Sequence, residues 1–270
     1  MKVEYVTLSY YPQTFNVEHI NVGFVLHDIE SGKLYQRYVK KYNRWLEFDD
    51  RLNEEIIKDL LGFSSRIFDQ TFGEDSEQSL FGINPMSKWK REQGYFDYIS
   101  RNFQNQLRLS PTLVADVDNP ESFFKEMCQL SLFFDYDKHE RPKDTQIHSI
   151  LLKQVKGILS SSSLKVSPRV SYQDNSEDEA ILFDYMIGDS YLKIINPNGS
   201  NPTACIDRVK VWAYNSNYFQ DASKMIVFIP LEGTDKDYYR YLKKILEKTN
   251  AKVFYSAYSL DNYIKAGVAA

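Results

Sequence analysis

The chain has 270 residues, 43% hydrophobic and 26% charged, a balance that fits one large globular domain or two ordinary ones and excludes a disordered chain. Its formal net charge of −4 excludes a surface that attracts nucleic acid everywhere. The charge is uneven: residues 1–140 hold 16 Lys and Arg against 23 Asp and Glu, a balance of −7, while residues 141–270 hold 17 against 14, a balance of +3, so contact with nucleic acid is expected of the second half.

Cys128 and Cys205, one in each half, cannot make a disulfide framework, and reduced thiols are expected. No run approaches the roughly 18 apolar residues that a membrane span needs. Met1-Lys2-Val3-Glu4-Tyr5 leads straight into a strand pattern without a leader, so a cytoplasmic protein with no membrane contact is expected.

Alternating β-branched and aromatic residues predict strands over Tyr5–Tyr10, Asn21–His27 and Lys33–Val39, with a turn at Asp28–Gly32 between the last two, which makes an antiparallel meander. Gly23 inside the second strand predicts a bulge or a close backbone approach. From Leu52 to Phe72, Ile56, Leu60, Phe63 and Ile67 recur at helical spacing and predict the buried face of a helix. Residues 73–85 read as irregular, and Trp89, Phe96, Ile99 and Phe103 suggest a second helix interrupted near Gly94. Leu107–Leu109 reads as a short strand. Asn119-Pro120-Glu121 then opens a helix running to about Phe134, with Phe123, Met127, Leu130 and Phe134 inward.

Tyr5-Val6-Thr7-Leu8-Ser9-Tyr10, Glu18-x-x-Asn21-Val22-Gly23, Leu107-Arg108-Leu109-Ser110-Pro111 and Asp118-Asn119-Pro120-Glu121 resemble the bacterial domain-of-unknown-function family 3037 in order and spacing. The resemblance covers residues 1–140 and implies an α+β unit with no known reaction. Asn21 and Gly23 are explicable by turn and close-contact chemistry alone, and Glu18 is the motif member least explained that way. Glu18 and Asn21 are therefore the binding candidates of the first half.

The charged connection Asp135–Asp144 predicts a domain boundary, giving units over 1–140 and 141–270. Asp144–Ser160 reads as a helix with Ile147, Ile150, Leu151, Val155, Ile158 and Leu159 on one face. A strand over Lys165–Tyr172, an acidic turn over 173–179 and a hairpin over Ala180–Asn196 with its turn at Gly188-Asp189-Ser190 follow. After turn residues at 197–202, a helix over Thr203–Phe219 places Ile206, Val209, Trp212 and Ala213 on its inner face. A buried strand comes next at Met225–Ile229, then a helix over Asp235–Thr249 with Tyr238, Tyr241, Leu242, Ile245 and Leu246 inward. A strand at Ala251–Tyr255 and a closing segment over Leu260–Ala266 end the chain.

That α-β-β-β-α-β-α-β order predicts a mixed α/β layer structure. It is similar to the core of the PD-(D/E)XK nuclease superfamily, and the spacing of the apolar strands resembles the bacterial families of unknown function 1828 and 1829, degenerate members of it. The resemblance implies a mixed sheet of restriction-endonuclease-like topology. It also implies an acid on the second strand and an acid-x-lysine on the third, whose carboxylates hold Mg²⁺ to activate water and neutralise phosphate. Asp184 matches the first acid and Lys193 the lysine, but the position two before Lys193 is Tyr191. Asp189 and Glu179 are nearby acids placed at turns.

Other constellations are weaker. His19, His27, His139 and His148 show no metal-ligand spacing, His148 reads as a solvated or capped helix residue, and no phosphate-cradling glycine loop or nucleophile elbow occurs. The expectation is a two-domain binding protein of a bacterial or phage mobile-element, defence or counter-defence system, needing no cofactor. Its partner would be a protein, or nucleic acid contacted through Arg208, Lys210, Lys243 and Lys244. The alternative is a Mg²⁺-dependent nuclease using Asp184, Lys193 and an unidentified second acid.

Overall fold

The computed structural model describes the chain outside residues 13–17, 73–90, 138, 161, 163, 173–180, 198–201, 217–223, 231–235 and 268–270, and outside the side chains of 69–72, 202, 215 and 236. The expected irregular segment at 73–85, Trp89, the acidic turn at 173–179 and most of the 197–202 turn lie outside the described residues. The chain forms two compact units, Met1–Arg141 and Pro142–Ala270.

The first unit is built on β1 (Lys2–Tyr10), β2 (Ile20–Asp28) and β3 (Lys33–Tyr38), the expected meander. Helices α1 (Asn43–Phe48), α2 (Glu54–Phe72) and α3 (Tyr95–Ile99), short strands β4 (Leu107–Leu109) and β5 (Leu113–Asp116), and helix α4 (Pro120–Ser131) complete it. Every pairing is antiparallel, in the order β3-β2-β1, with β4 lying along Leu8–Tyr10 and β5 along Lys2–Tyr5 on the free edge of β1. The N-terminal strand is thus central and buried on both faces. On one face Val6, Leu8 and Tyr10 pack with Trp45, Ile57, Leu61, Phe68 and Phe96. On the other, Tyr5 meets Phe123 edge-on at 5.5 Å and Phe24 lies 5.8 Å from Phe124, both partners on α4.

Gly23 serves both purposes that its place in a strand suggests. The β1–β2 register slips between Leu8 and Ser9, leaving Val22 as the extra residue, so that Ile20, Val22 and Val25 all reach the same core despite strict alternation. A Cβ at Gly23 would lie 2.9 Å from the Tyr38 ring and 3.3 Å from Leu8 Cβ.

Two helix faces differ from expectation. In α2 the buried residues are Ile57, Leu61, Ser64 and Phe68, while Ile56 and Phe63 are exposed. The helix carries two adjoining apolar stripes, and the inward one can include Ser64 because its hydroxyl donates to Leu60 O at 3.0 Å and so is not left unmet. Helix α4 stops at Ser131, and after the buried Leu132 the chain turns through a short 3₁₀ segment, Phe133–Asp135, that leaves Phe134 exposed.

Three buried carboxylates fasten the elements of this unit. Glu4 accepts hydrogen bonds from the amides of Gly94 and Tyr95 at 2.8 and 3.1 Å and from His27 Nδ1 at 2.8 Å. Asp49 accepts from Tyr10 Oη at 2.7 Å and from two nitrogens of Arg51 at 2.8 Å. The Arg51 hydrogen bonds hold the Asp49 carboxyl well below the usual carboxylate range, and burial pushes the Tyr10 phenol up. Asp135 accepts from the amides of Lys40 and Lys41 at 2.6 and 2.9 Å and from Arg37 at 3.1 Å.

The second unit runs α5 (Asp144–Ser160), β6 (Val166–Tyr172), β7 (Ile181–Ile187), β8 (Ser190–Ile194), α6 (Pro202–Ser216), β9 (Met225–Phe228), α7 (Lys236–Leu246), β10 (Lys252–Phe254) and α8 (Ala257–Lys265). Its mixed sheet has the order β10-β9-β8-β7-β6, antiparallel through β6, β7 and β8 and parallel through β8, β9 and β10. Parallel neighbours need crossovers, which α6 and α7 supply. Their Cys205, Val209, Trp212, Leu242 and Leu246 pack with Phe183, Met225 and Val227. The alternate strand residues Leu192, Ile194, Ile226 and Phe228 are buried on the opposite face, and α5 and α8 pack against each other. All six expected inward residues of α5 are buried, but Tyr241 of α7, expected inward, is exposed. It lies one position before the buried Leu242, at the margin of the apolar stripe.

Substituting Gly23→Ala should destabilise the protein by about 1–3 kcal/mol through overpacking against Tyr38. The loss should shrink in a Tyr38→Leu background. Urea unfolding of the double-mutant cycle checks this, and additive effects would contradict it.

Candidate functional site

The hairpin of β7 and β8 turns at Gly188, whose φ of +56° is the left-handed conformation that glycine enters freely, with Asp189 exposed beside it. Alternation along β7 breaks at Asp184. Ile181 and Phe183 join the cluster under α6 and α7, whereas Tyr185 donates from its hydroxyl to Leu152 O of α5 at 3.2 Å. Residues two apart would otherwise share a face. Across β6 the break is matched by Arg169, a non-glycine residue with φ +52°, which interrupts the pairing between Pro168↔Tyr185 and Val170↔Phe183.

The Asp184 carboxylate fills the resulting gap in the ladder. Its Oδ2 accepts from the Ile194 amide at 2.7 Å and lies 3.5 Å from Lys193 Nζ, while its Oδ1 lies 3.5 Å from His148 Nε2 on the first turn of α5. Lys193 also donates to Leu182 O at 3.1 Å. Burial acts to raise the Asp184 carboxyl, but the His148 and Ile194 hydrogen bonds and the charge of Lys193 outweigh it, and the group is held below the ordinary aspartate range. Asp184 and Lys193 are brought together as their sequence positions suggest. His148, read from sequence as a solvated or capped residue, joins them. Its only sequence signal was a place beside the buried Ile147, at the start of the helix preceding the strands.

Tyr191 occupies the position where a second acid would be needed, and its ring packs into the core, 5.1 Å from Phe183 and 5.5 Å from Tyr172. Asp189 is exposed on the turn, and Glu179 lies outside the described residues. Among the described residues no three His, Cys, Asp or Glu side chains converge to hold a metal ion. A hard dication seeks several oxygen ligands, and the one carboxylate among the described residues here is committed to a lysine, a histidine and an amide, a set that by itself does not suit Mg²⁺.

The basic candidates lie on α6 and α7. Arg208, Lys210 and Lys244 are exposed; Lys243 is half-buried, with Nζ 4.8 Å from the Tyr255 ring centroid. Lys210 Nζ stands 5.7 Å from the Tyr241 ring centroid, reaching from one helix to the next. In the first unit Asn21 is structural: its Oδ1 accepts from Ser9 Oγ at 3.0 Å and its Nδ2 donates to Ser131 O at 3.3 Å, fastening the bulge to the end of α4. Glu18 is exposed in the loop before β2.

Four further reactive groups are inaccessible. Glu4 and His27 are completely buried. Burial pushes the Cys128 thiol up to about 12, and Cys205 is buried with its Sγ 3.4 Å from Asn196 O. No helix among the described residues is long and apolar enough to cross a membrane. No protein-family model, curated protein or solved structure matches the chain.

Asp184→Asn should lower stability at neutral pH by about 1–3 kcal/mol, because it weakens the partners of a half-buried lysine and an amide. The folded-state pKa of Asp184 is depressed, so the advantage of the native protein is fully present above the unfolded-state value near 3.9 and is lost as pH falls below it. Urea titrations at pH 7 and pH 3 check this. A stability gap that is unchanged between them would contradict it.

Proposed function

We propose that the chain acts by binding a macromolecular partner rather than by cleaving one, and that its second unit is a degenerate PD-(D/E)XK-type domain. The sheet order, antiparallel through β6, β7 and β8 and then parallel through β9 and β10 by way of a crossover helix, supports that fold reading. The observation that carries the functional reading is the commitment of Asp184. Both of its oxygens are engaged by the protein itself, and the neighbouring position that a nuclease gives to an acid holds Tyr191 in an aromatic cluster.

What remains is a folding device made from residues that match an active-site pattern. The setting implied by the resembled families is a bacterial or phage mobile element, in defence or counter-defence. The acidic first half, with its balance of −7, suits a basic partner surface, and the positive second half suits phosphate.

Labelled single- and double-stranded DNA and RNA incubated with the pure protein and Mg²⁺ or Mn²⁺ should remain intact, and calorimetry should show no Mg²⁺ binding that depends on Asp184. Metal-dependent cleavage that disappears in Asp184→Ala would overturn the proposal in favour of the nuclease.

A further inference from the structure

Helices α6 and α7 lie side by side with their inner faces in the core, and their outer faces combine aromatic and cationic groups. On α6 the outward stripe is Asp207, Val211 and Tyr214, spaced four and then three residues apart, with Val211 and Tyr214 60% and 62% exposed. On α7 the equivalent stripe is Asp237, Tyr241 and Lys244, with Tyr241 44% exposed. Lys210 bridges the helices over the Tyr241 ring. Large exposed apolar side chains are otherwise scattered through the unit, so two rings and a valine on one helix pair form a patch that invites a partner.

Charge selects the kind of partner. Arg208, Lys210, Arg240, Lys243 and Lys244 stand against Asp207 and Asp237 on these helices, a balance of +3 among the described side chains, equal to the whole net charge of residues 141–270. Each acid lies beside a base of its own helix, Asp207 3.9 Å from Lys210 and Asp237 3.4 Å from Arg240. Both pairs are exposed and weak enough for a phosphate to compete. Arg208 and Lys244 have no acidic partner among the described residues.

We propose that the α6–α7 face binds single-stranded nucleic acid, with bases stacking on Tyr214 and Tyr241 and phosphates meeting Arg208, Lys210 and Lys244. The alternation of ring and cation matches the alternation of base and phosphate along an unpaired strand. A duplex keeps its base faces stacked inside and would leave both rings unused. An acidic protein surface would use the cations but gives no reason for the exposed rings. The proposal deepens the binding reading by naming the partner class, and it places the contact away from Asp184, on the crossover helices.

Fluorescence anisotropy with a labelled oligothymidylate of about 20 nucleotides tests it, with a duplex of the same length and a polyglutamate peptide as competitors. Tyr214→Ala with Tyr241→Ala should weaken binding about tenfold or more, because stacking on both rings is lost. Lys210→Glu with Lys244→Glu should weaken it further and flatten the salt dependence by about 1.4 in the slope of log affinity against log salt, about 0.7 for each lost cation. All four positions are outward, and circular dichroism confirms that the variants fold.

Unchanged affinity in both double variants would overturn the proposal, as would tighter binding to the duplex. Failure of the oligonucleotide to bind, with polyglutamate binding in its place, would overturn it and assign the face to an acidic protein. None of these results bears on cleavage, so they fail separately from the metal-dependent assay that tests the binding reading.

Discussion

The second unit depends on one hydrogen bond in which a side chain stands where a backbone group would be expected. The Ile194 amide donates to the Asp184 carboxylate across the β7–β8 ladder, and at that point β7 changes the face to which its residues point. The switch lets one short strand serve two cores, with Phe183 under α6 and α7 and Tyr185 against α5. Without an acceptor there, the break in alternation would leave a buried amide unmet, a cost that native sheets rarely carry. Lys193 balances the charge that this solution brings into a half-buried place, and His148 stands 3.5 Å from the other carboxylate oxygen. A carboxylate recruited to hold a strand is poorly placed to hold a metal, because each oxygen is oriented by the protein rather than by a ligand.

The first unit uses the same device three times. Glu4 holds the start of α3, Asp49 ties the end of β1 to the turn after α1, and Asp135 holds the loop after β3. In each case a carboxylate accepts from a segment distant in sequence, backbone amides at Glu4 and Asp135 and the Tyr10 phenol at Asp49, and the hydrogen bonds compensate its burial. These ties explain how a unit with several short, irregular connections holds its loops without disulfides or a metal cluster among the described residues.

Much of this was legible in the sequence, and the limits have physical causes. The meander, the bulge at Gly23, the inner face of α5 and the opposition of Asp184 and Lys193 follow from periodicity and turn chemistry, which are local. The face of α2 did not. Its two neighbouring apolar stripes are equivalent to a periodicity count, and only the hydroxyl of Ser64 bonding within the helix makes the chosen stripe acceptable to the core. Tyr241 was likewise assigned inward from its type, whereas a tyrosine at the stripe margin can turn its ring to solvent. Strand β5 was missed because four residues carry little pattern, and His148 because its partner lies on an element 36 positions away in sequence. The carboxylate ties of the first unit were invisible for the same reason.

The central position of β1 has a consequence for how the chain acquires its structure. Met1, just before it, donates to Val117 O, a separation of 116 positions, and both β4 and β5 complete its outer edge. During synthesis from the N-terminus the meander of β1, β2 and β3 emerges with that apolar edge open until the chain beyond Asp116 has left the ribosome. An open edge of this kind pairs readily with other chains. Closing that edge takes contacts between β1 and strands about a hundred positions further along the chain, the kind of non-local pairing that forms slowly.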